Sequence, residues 1–433
     1  MTHRRRTRAS HRPRSSSVPR RVAGAAVAAA LLGGLAGCGS PTSEPPQHGA
    51  PKYTGTGYEK EEDGQAAAKG SGETGKRGQA LPQGHRSKRA ARGFSLVATG
   101  DLLIHDSVIR QARADAGGSG YDFSRMIAAA KPMASGADLA ICHMETVYGA
   151  DGGPFTGYPL FQTPPQLAHS VKKTGYDSCS TASNHTLDAG AEGVGRTLKA
   201  MDAAGLKHVG SARSAAERKR PAVLRAGGAK VAQLAYTYGT NGIPVPEDKP
   251  WLVNLIDPER IIADARAARR AGADVVVASM HWGTEWQEDP DSLQRSVAGK
   301  LTASRSHGRR DIDLIIGTHA HVPQAYEKVN GTWVVYGMGD QIAGKMNDPR
   351  GSMGTAARFR FAPPTKRGHG EWTVEKAEFT PFLMETEPRQ TLVDLATKES
   401  RSSGNAQQDE AYDSIRKVVY SRGAAKDGLR MVP

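Results

Sequence analysis

The chain predicts an α/β fold, and three observations carry that expectation. Apolar runs of strand length alternate with stretches whose apolar residues recur at helical spacing, from Phe94 to beyond Phe361. Gly, Pro, Asn and Asp punctuate the gaps between them. Residues able to bind metals or move protons follow the C-terminal ends of the apolar runs, the edge where open α/β sheets hold their ligands. A length of 433 residues allows two average domains. The motifs run through one stretch, however, so the reading is one large domain, residues 94–385. A leader (1–38) and a tether (39–93) precede it, and a tail with a short helix (386–433) follows.

Taken in order, Phe94–Thr99 reads as a buried strand closed by Gly100-Asp101, and Phe123–Ser135 as helical. Asp138–Cys142 is a strand running into His143-Met144-Glu145. Gln166–Thr174 is a helix, and Tyr176–Thr181 a strand ending near Asn184-His185. Ala191–Ala204 is a helix stopped by Gly205. Pro221–Arg225 and Lys230–Ala235 form a hairpin around Gly227-Gly228. Helices over Pro258–Ala271 and Ser292–Ser304 alternate with strands over Asp274–Ser279 and Ile312–Ile316, which point at His281 and at His319 and His321. Asn330-Gly331 is a type I′ turn between Ala325–Val329 and Thr332–Tyr336. Gly354–Phe361 and Trp372–Phe382 add strands, Ser400–Asn405 reads as loop, and Asp409–Val419 is a short amphipathic helix.

The net charge of +14 is unevenly spread. Residues 1–93 hold 17 Lys/Arg against 6 Asp/Glu, leaving 41 against 38 in the body. Nucleic-acid binding needs a basic face on the fold itself, so no nucleic-acid partner is expected. The front has the order of an export signal. An arginine-rich start precedes the apolar run Val22–Leu35, which is too short to span a bilayer, and Leu35-Ala36-Gly37-Cys38 matches a bacterial lipobox. Cys38 is therefore expected to carry lipid and to hold an exported chain to the extracytoplasmic face of the membrane. Arg20-Arg21 also fits a twin-arginine route. Gly39–Gly93 is polar and poor in large apolar residues, the composition of a tether that cannot offset its own chain entropy. Three cysteines rule out a disulfide framework and argue against a thiolate zinc site. Cys142 and Cys179 read as buried thiols, with one inter-strand disulfide open to them in an oxidising compartment.

Asp101, Glu145, Asn184, His185, His281, His319 and His321 form the candidate constellation. Carboxylates, an amide and imidazoles suit divalent first-row metals, and two such ions can activate water and stabilise a phosphoryl group in line with it. Singly, each residue has an ordinary structural reading: a turn, a helix cap, a core histidine. Their joint occurrence at strand ends carries the weight.

Five runs make the pattern specific. These are Val97-Ala98-Thr99-Gly100-Asp101, Ala137 to Thr146, Ala182 to Gly190, Ser279 to Glu285 and Ile316 to Gln324. In this order they resemble the successive signatures of the CapA family, associated with poly-γ-glutamate capsule synthesis and export and related to calcineurin-like metallophosphatases. The resemblance spans about Phe94 to Phe382. It implies two facing β-sheets flanked by helices, a four-layer sandwich, and one or two divalent ions (Mn, Fe or Zn). It implies metal-dependent phosphoesterase-type hydrolysis or, alternatively, a non-catalytic role in binding or guiding an anionic envelope polymer. The implied partners are an anionic polymer or phosphoester and membrane proteins of capsule synthesis. Carried over by position, Asp101 and His321 bind one metal, Glu145 bridges, and Asn184, His281 and His319 bind the second. His185 is the acid toward the leaving group and Asp188 orients it. Trp282, Glu285, Gln324 and Asp340 are pocket residues. Two departures stand out. Leu103 occupies the place of the phosphatase Asp-x-His imidazole, so the first metal lacks an expected histidine; His105, four residues after Asp101, is a substitute by position but reads rather as solvent-facing and helical. The run Tyr336 to Gln341 carries Asp340 in place of an amide.

Overall fold

The computed structural model describes residues 92–365 and 370–432. Cys38, the leader and all but the last two residues of the tether lie outside the described residues. No described helix is long and apolar enough to cross a membrane.

The strands are β1 (Phe94–Leu102), β2 (Leu139–Met144), β3 (Ser178–Ser180), β4 (Lys207–Val209), β5 (Ala222–Ala226), β6 (Ala229–Thr237), β7 (Val275–His281), β8 (Arg305–Ser306), β9 (Arg309–Arg310), β10 (Leu314–Thr318), β11 (Tyr326–Val329), β12 (Thr332–Val335), β13 (Asp340–Ile342), β14 (Met353–Ala362), β15 (Thr373–Glu385), β16 (Thr391–Asp394) and β17 (Leu429–Met431). The helices are α1 (Asp106–Asp115), α2 (Lys131–Ser135), α3 (Gln166–Thr174), α4 (Gly190–Ala204), α5 (Ala215–Arg218), α6 (Pro258–Arg270), α7 (Ser292–Ala303), α8 (Lys398–Ser402) and α9 (Ala406–Val419).

One sheet runs β16-β15-β14-β1-β2-β3-β4, with β13 beside β1 and β17 beside β15; the other runs β11-β12-β10-β7-β6-β5. Strand alternation explains how they stack. Leu96, Ala98, Leu139 and Ile141 from the first sheet meet Val275, Val277, Leu314 and Ile316 from the second in one apolar layer. The alternate residues Ala140, Cys142 and Met144 face outward onto α1, α2 and α3. Ala232, Val276 and Ile315 face outward onto α6 and α7. The result is helices, sheet, sheet, helices, the four layers expected. The layers place the C-terminal ends of β1, β2, β3, β7 and β10 along one rim.

Several sequence expectations change. Helix over Phe123–Ser135 survives only as the 3₁₀ turn Ala128–Ala130 and α2, because Pro132 lacks an amide hydrogen and can sit only in the first turn of a helix. The spacing of Val108, Ile109 and Ala112 already encoded α1, which buries them. Residues 386–433 are no tail: β16 and β17 pair with β15, and Ala411, Ile415 and Val419 of α9 enter the main core. Helix α8, capped by Thr397, runs into the first residues of the stretch read as loop, Ser400–Asn405. Cys142 and Cys179 occupy paired positions of β2 and β3 and are joined by a disulfide, so they are not free thiols.

Candidate metal centre

Strand geometry decides which side chains reach the rim between the sheets. On β2, His143 and Glu145 continue the inward parity of Leu139 and Ile141. On β1 the pairing with β2 shifts register between Ala98 and Asp101. Ala98 faces the inter-sheet core while Leu102 packs on the outer face, so the bulge re-aims Asp101 inward. Gly100 permits this. A Cβ there would lie 1.8 Å from the carbonyl oxygen of Gly339, which instead accepts the Asp101 amide at 3.0 Å. Past β10, His319 (φ 96°) and His321 (φ 54°) hold left-handed backbone, a strain of roughly 1–3 kcal/mol per residue that accumulates at functional sites.

These segments bring the predicted residues together. His321 Nδ1 bonds Asp340 Oδ1 at 2.9 Å, and its Nε2 is 3.8 Å from Glu145 Oε1. His281 Nε2 is 2.8 Å from Asn184 Oδ1 and 3.8 Å from Glu145 Oε1, and its Nδ1 is 2.9 Å from Thr318 Oγ1. The His319 amide donates to Asp101 Oδ2 at 3.0 Å. Three overlapping sets have ligand atoms mutually within 4.8 Å: Asp101, His143 and His281; Glu145, His319 and His321; Asp101, His321 and Asp340. The division differs from the one implied by resemblance, since Asp101 faces His143 and His281 as well as His321.

His143 is the residue the sequence reading missed. Its Nε2 is 3.7 Å from Asp101 Oδ1, its Nδ1 is 2.7 Å from Ser180 Oγ, and its ring stacks on His281 at 4.5 Å. It puts an imidazole beside Asp101, where Leu103 left one lacking. The signal was its spacing, two residues before Glu145 on a strand end, hence on the same face. His105 does not fill that role. It sits half-buried before α1, where its Nδ1 accepts the Gly344 amide at 3.0 Å, so it is neither helical nor solvent-facing.

The electrostatics suit a cation. Asp101, Glu145 and Asp340 are all buried. Burial and then the charge of Asp340 push Asp101 up to about 7, and burial followed by Asp101 raises Glu145 well above its ordinary range. Burial drives His281 and His319 far down, with neighbouring histidines adding to it, and takes His143 to about 3. For His321, burial opposes the charge, but Asp340 and Glu145 outweigh it and its pKa rises. Asp101 Oδ1, both Glu145 carboxylate oxygens, Asp340 Oδ2, His143 Nε2 and His319 Nδ1 are buried without hydrogen-bond partners. Such orphaned atoms are rare and costly, and this donor set of oxygens and imidazoles fits divalent metal.

Beside the cluster, His185 donates from Nδ1 to Asp188 Oδ2 at 2.7 Å, and Asp188 also takes the Phe161 amide at 2.8 Å. Phe161 packs edge-on to the His185 ring at 4.7 Å. Asn241, from the Asn-Gly turn past β6, lies 3.5 Å from His185 Nε2 and accepts from Asn184 at 3.1 Å. Tyr238 covers His319 at 4.4 Å. A 370 Å³ cavity opens here, lined by His105, Tyr158, His185, Glu285, Trp286, His321 and Lys345 among others. Glu285 is thus a pocket residue, and Trp286, Lys345, Asn241 and Tyr238 join the site unforeseen. Trp282 and Gln324 are not pocket residues. The Trp282 ring is wholly buried beneath the second sheet, its Nε1 bonded to the Tyr336 carbonyl at 2.8 Å. Gln324 is buried in a network with Gln294 and the Gln287 carbonyl. Their place in the motif reflects packing that supports the histidine loops.

The family model described as bacterial capsule synthesis protein PGA_cap matches residues 95–345. The chain belongs to this family. It is 29% identical over 183 residues to the PGA biosynthesis protein CapA of Bacillus subtilis (strain 168), covering 42% of this chain and 46% of the relative. It is 27% identical over 181 residues to the capsule biosynthesis protein CapA of Bacillus anthracis, covering 41% and 42%. The chain thus spans about half the length of these curated relatives. Among solved structures it is similar to a 5′-nucleotidase precursor from Thermus thermophilus, at 16% identity and a TM-score of 0.42, covering 75% of this chain and 58% of the other.

Proposed function

We propose that this member of the capsule-synthesis family is a metal-dependent hydrolase of phosphoesterase type, exported and lipid-anchored through Cys38, that acts on a phosphoester or an anionic envelope polymer during capsule assembly. The observation that carries this reading is the meeting of partnerless carboxylate and imidazole atoms from separate strand ends beside an open cavity.

Asp101, His143, Glu145, Asn184, His281, His319, His321 and Asp340 are the residues that would hold one or two divalent ions. Such ions supply Lewis acidity and an activated water. The chain's own side chains do the rest. Asp188 fixes the His185 ring through Nδ1, leaving Nε2 toward Asn241 and the cavity. From there His185 delivers a proton to the departing oxygen. Lys345 lines the same cavity and offers an exposed cation to an anionic substrate. Tyr238 and Trp286 cover the histidine rings and limit water at the ligands.

Elemental analysis of chelator-free protein and turnover of an aryl phosphate test this reading. Bound divalent metal is expected, with turnover that chelation abolishes and re-addition restores. Protein that retains no metal, together with no turnover under any divalent ion, would leave the alternative of a non-catalytic polymer-binding component.

A further inference from the structure

A second cavity, of 590 Å³, lies between the end of α6 and the β8–β9 hairpin, lined by Arg266, Arg269, Arg270, Arg305, His307 and Arg309. It sits where β7 and β10 begin, whereas the metal centre sits where they end. Seven residues of β7 separate the two by roughly 20 Å.

Part of this basic charge organises the fold. Arg266 pairs with Asp311 at 2.9 Å, Arg269 pairs with Asp313, and Arg309 donates to the Asp274 carbonyl. The remainder has no such work. Among the described residues no carboxylate lies within ion-pair distance of Arg270, and Arg305 reaches only Glu371, at 3.5 Å, which Arg310 shares at 3.2 Å. Arg269 is nine-tenths buried and its guanidinium serves the Ala273, Asp274 and Arg310 carbonyls as well as Asp313, so it belongs to the fold, whereas Arg270 is exposed. Like charges this close repel one another, and Arg309 is pressed below its ordinary range by burial and by Arg269.

We propose that this cavity is a docking site for a chain bearing closely spaced carboxylates, separate from the metal centre. Planar guanidinium forks match carboxylates in pairs of hydrogen bonds. The donors are spread over a volume far larger than one carboxylate fills, which fits a run of acidic residues. No Phe, Tyr or Trp ring lines the cavity among the described residues, so it has no broad platform for the base stacking that single-stranded nucleic acid uses. The site rests on the reading that this protein handles an anionic envelope polymer, and it gives that polymer a second hold away from the reacting end.

The test is fluorescence anisotropy of the full chain with a labelled glutamate decamer at low salt. Binding should weaken by roughly tenfold in Arg270→Glu and further in Arg270→Glu/Arg305→Gln, since each replaces a cation facing the ligand. The milder Arg270→Gln should show a smaller loss, with melting temperature unchanged. In a His281→Ala background, Arg270→Glu should still weaken decamer binding roughly tenfold, even where metal and turnover are already lost, which separates this site from the metal-centre reading. Absence of decamer binding, undiminished binding in the double variant, or tighter binding of a thymidylate decamer would overturn the proposal.

Discussion

The two ends of the parallel strands use carboxylates in opposite ways. At the N-terminal ends, Asp138, Asp177, Asp274 and Asp313 each precede a strand and accept a backbone amide from the neighbouring strand: Ser95 at 2.9 Å, Ala140 at 3.0 Å, Lys230 at 2.8 Å and Val276 at 2.7 Å. On the opposite rim, Asp101 and Glu145 at the C-terminal ends of β1 and β2, and Asp340, which opens β13 beside Asp101, are deeply buried and leave oxygens unbonded. A carboxylate that accepts an amide from the neighbouring strand of its own sheet is fixing strand register, whereas the one amide Asp101 takes, that of His319, comes from the loop past β10 in the other sheet. A carboxylate that is buried, crowded by another carboxylate and short of donors costs stability unless a cation joins it. Asp313 also leaves one oxygen unbonded, but Arg269 supplies its cation within the fold, whereas among the described residues Asp101, Glu145 and Asp340 have no Arg or Lys partner; the missing cation separates the two groups.

The strongest way to break that comparison is to remove ligands from the second group. His281→Ala and Asp101→Asn should lose bound metal by elemental analysis and reduce aryl-phosphate turnover to background, with circular dichroism unchanged; full metal content in both would end the metal-centre reading. His143→Ala sharpens the comparison, since metal loss there as well would establish the ligand that sequence reading overlooked. His185→Asn should lower kcat by ~10²–10⁴-fold, the usual worth of a general acid, while metal content stays whole. Turnover equal to that of the parent would remove His185 from the proton path.

Within the folding group, Asp313→Ala strips a nearly buried partner from Arg269 and should cost about 3 kcal/mol in denaturant unfolding, with metal content per folded chain unaltered. A change in metal stoichiometry would blur the two classes. The smallest effect is in pH. Asp101 is raised from its ordinary value of 3.8 to about 7. Between these values the folded chain holds a proton that the unfolded chain has released, so metal-free stability should fall as pH rises through that window. Metal requires the deprotonated group, so the melting-temperature gain from added Mn or Zn should be larger at about pH 8 than at about pH 5. Equal gains at both would show that Asp101 is not a ligand.

Sequence alone determined the alternation of elements, several helix ends, the Asn330-Gly331 turn and most of the histidines and carboxylates of the centre, because these rest on local periodicity and on chemistry that few residue types supply. It misplaced what depends on contacts between distant segments. Trp282 and Gln324 belong to the histidine runs, but packing beneath the second sheet turns them away from the cavity. Residues 386–433 looked like a tail until α9 found the space at the edge of the main core. His143 and Asp340 became candidate ligands, and the basic side chains of α6 and the β8–β9 hairpin became one cavity, only when segments far apart in the chain were set side by side. Periodicity tells which face a side chain occupies; what stands across from it is decided by the pairing and stacking of sheets, and both charge and coordination depend on that neighbour.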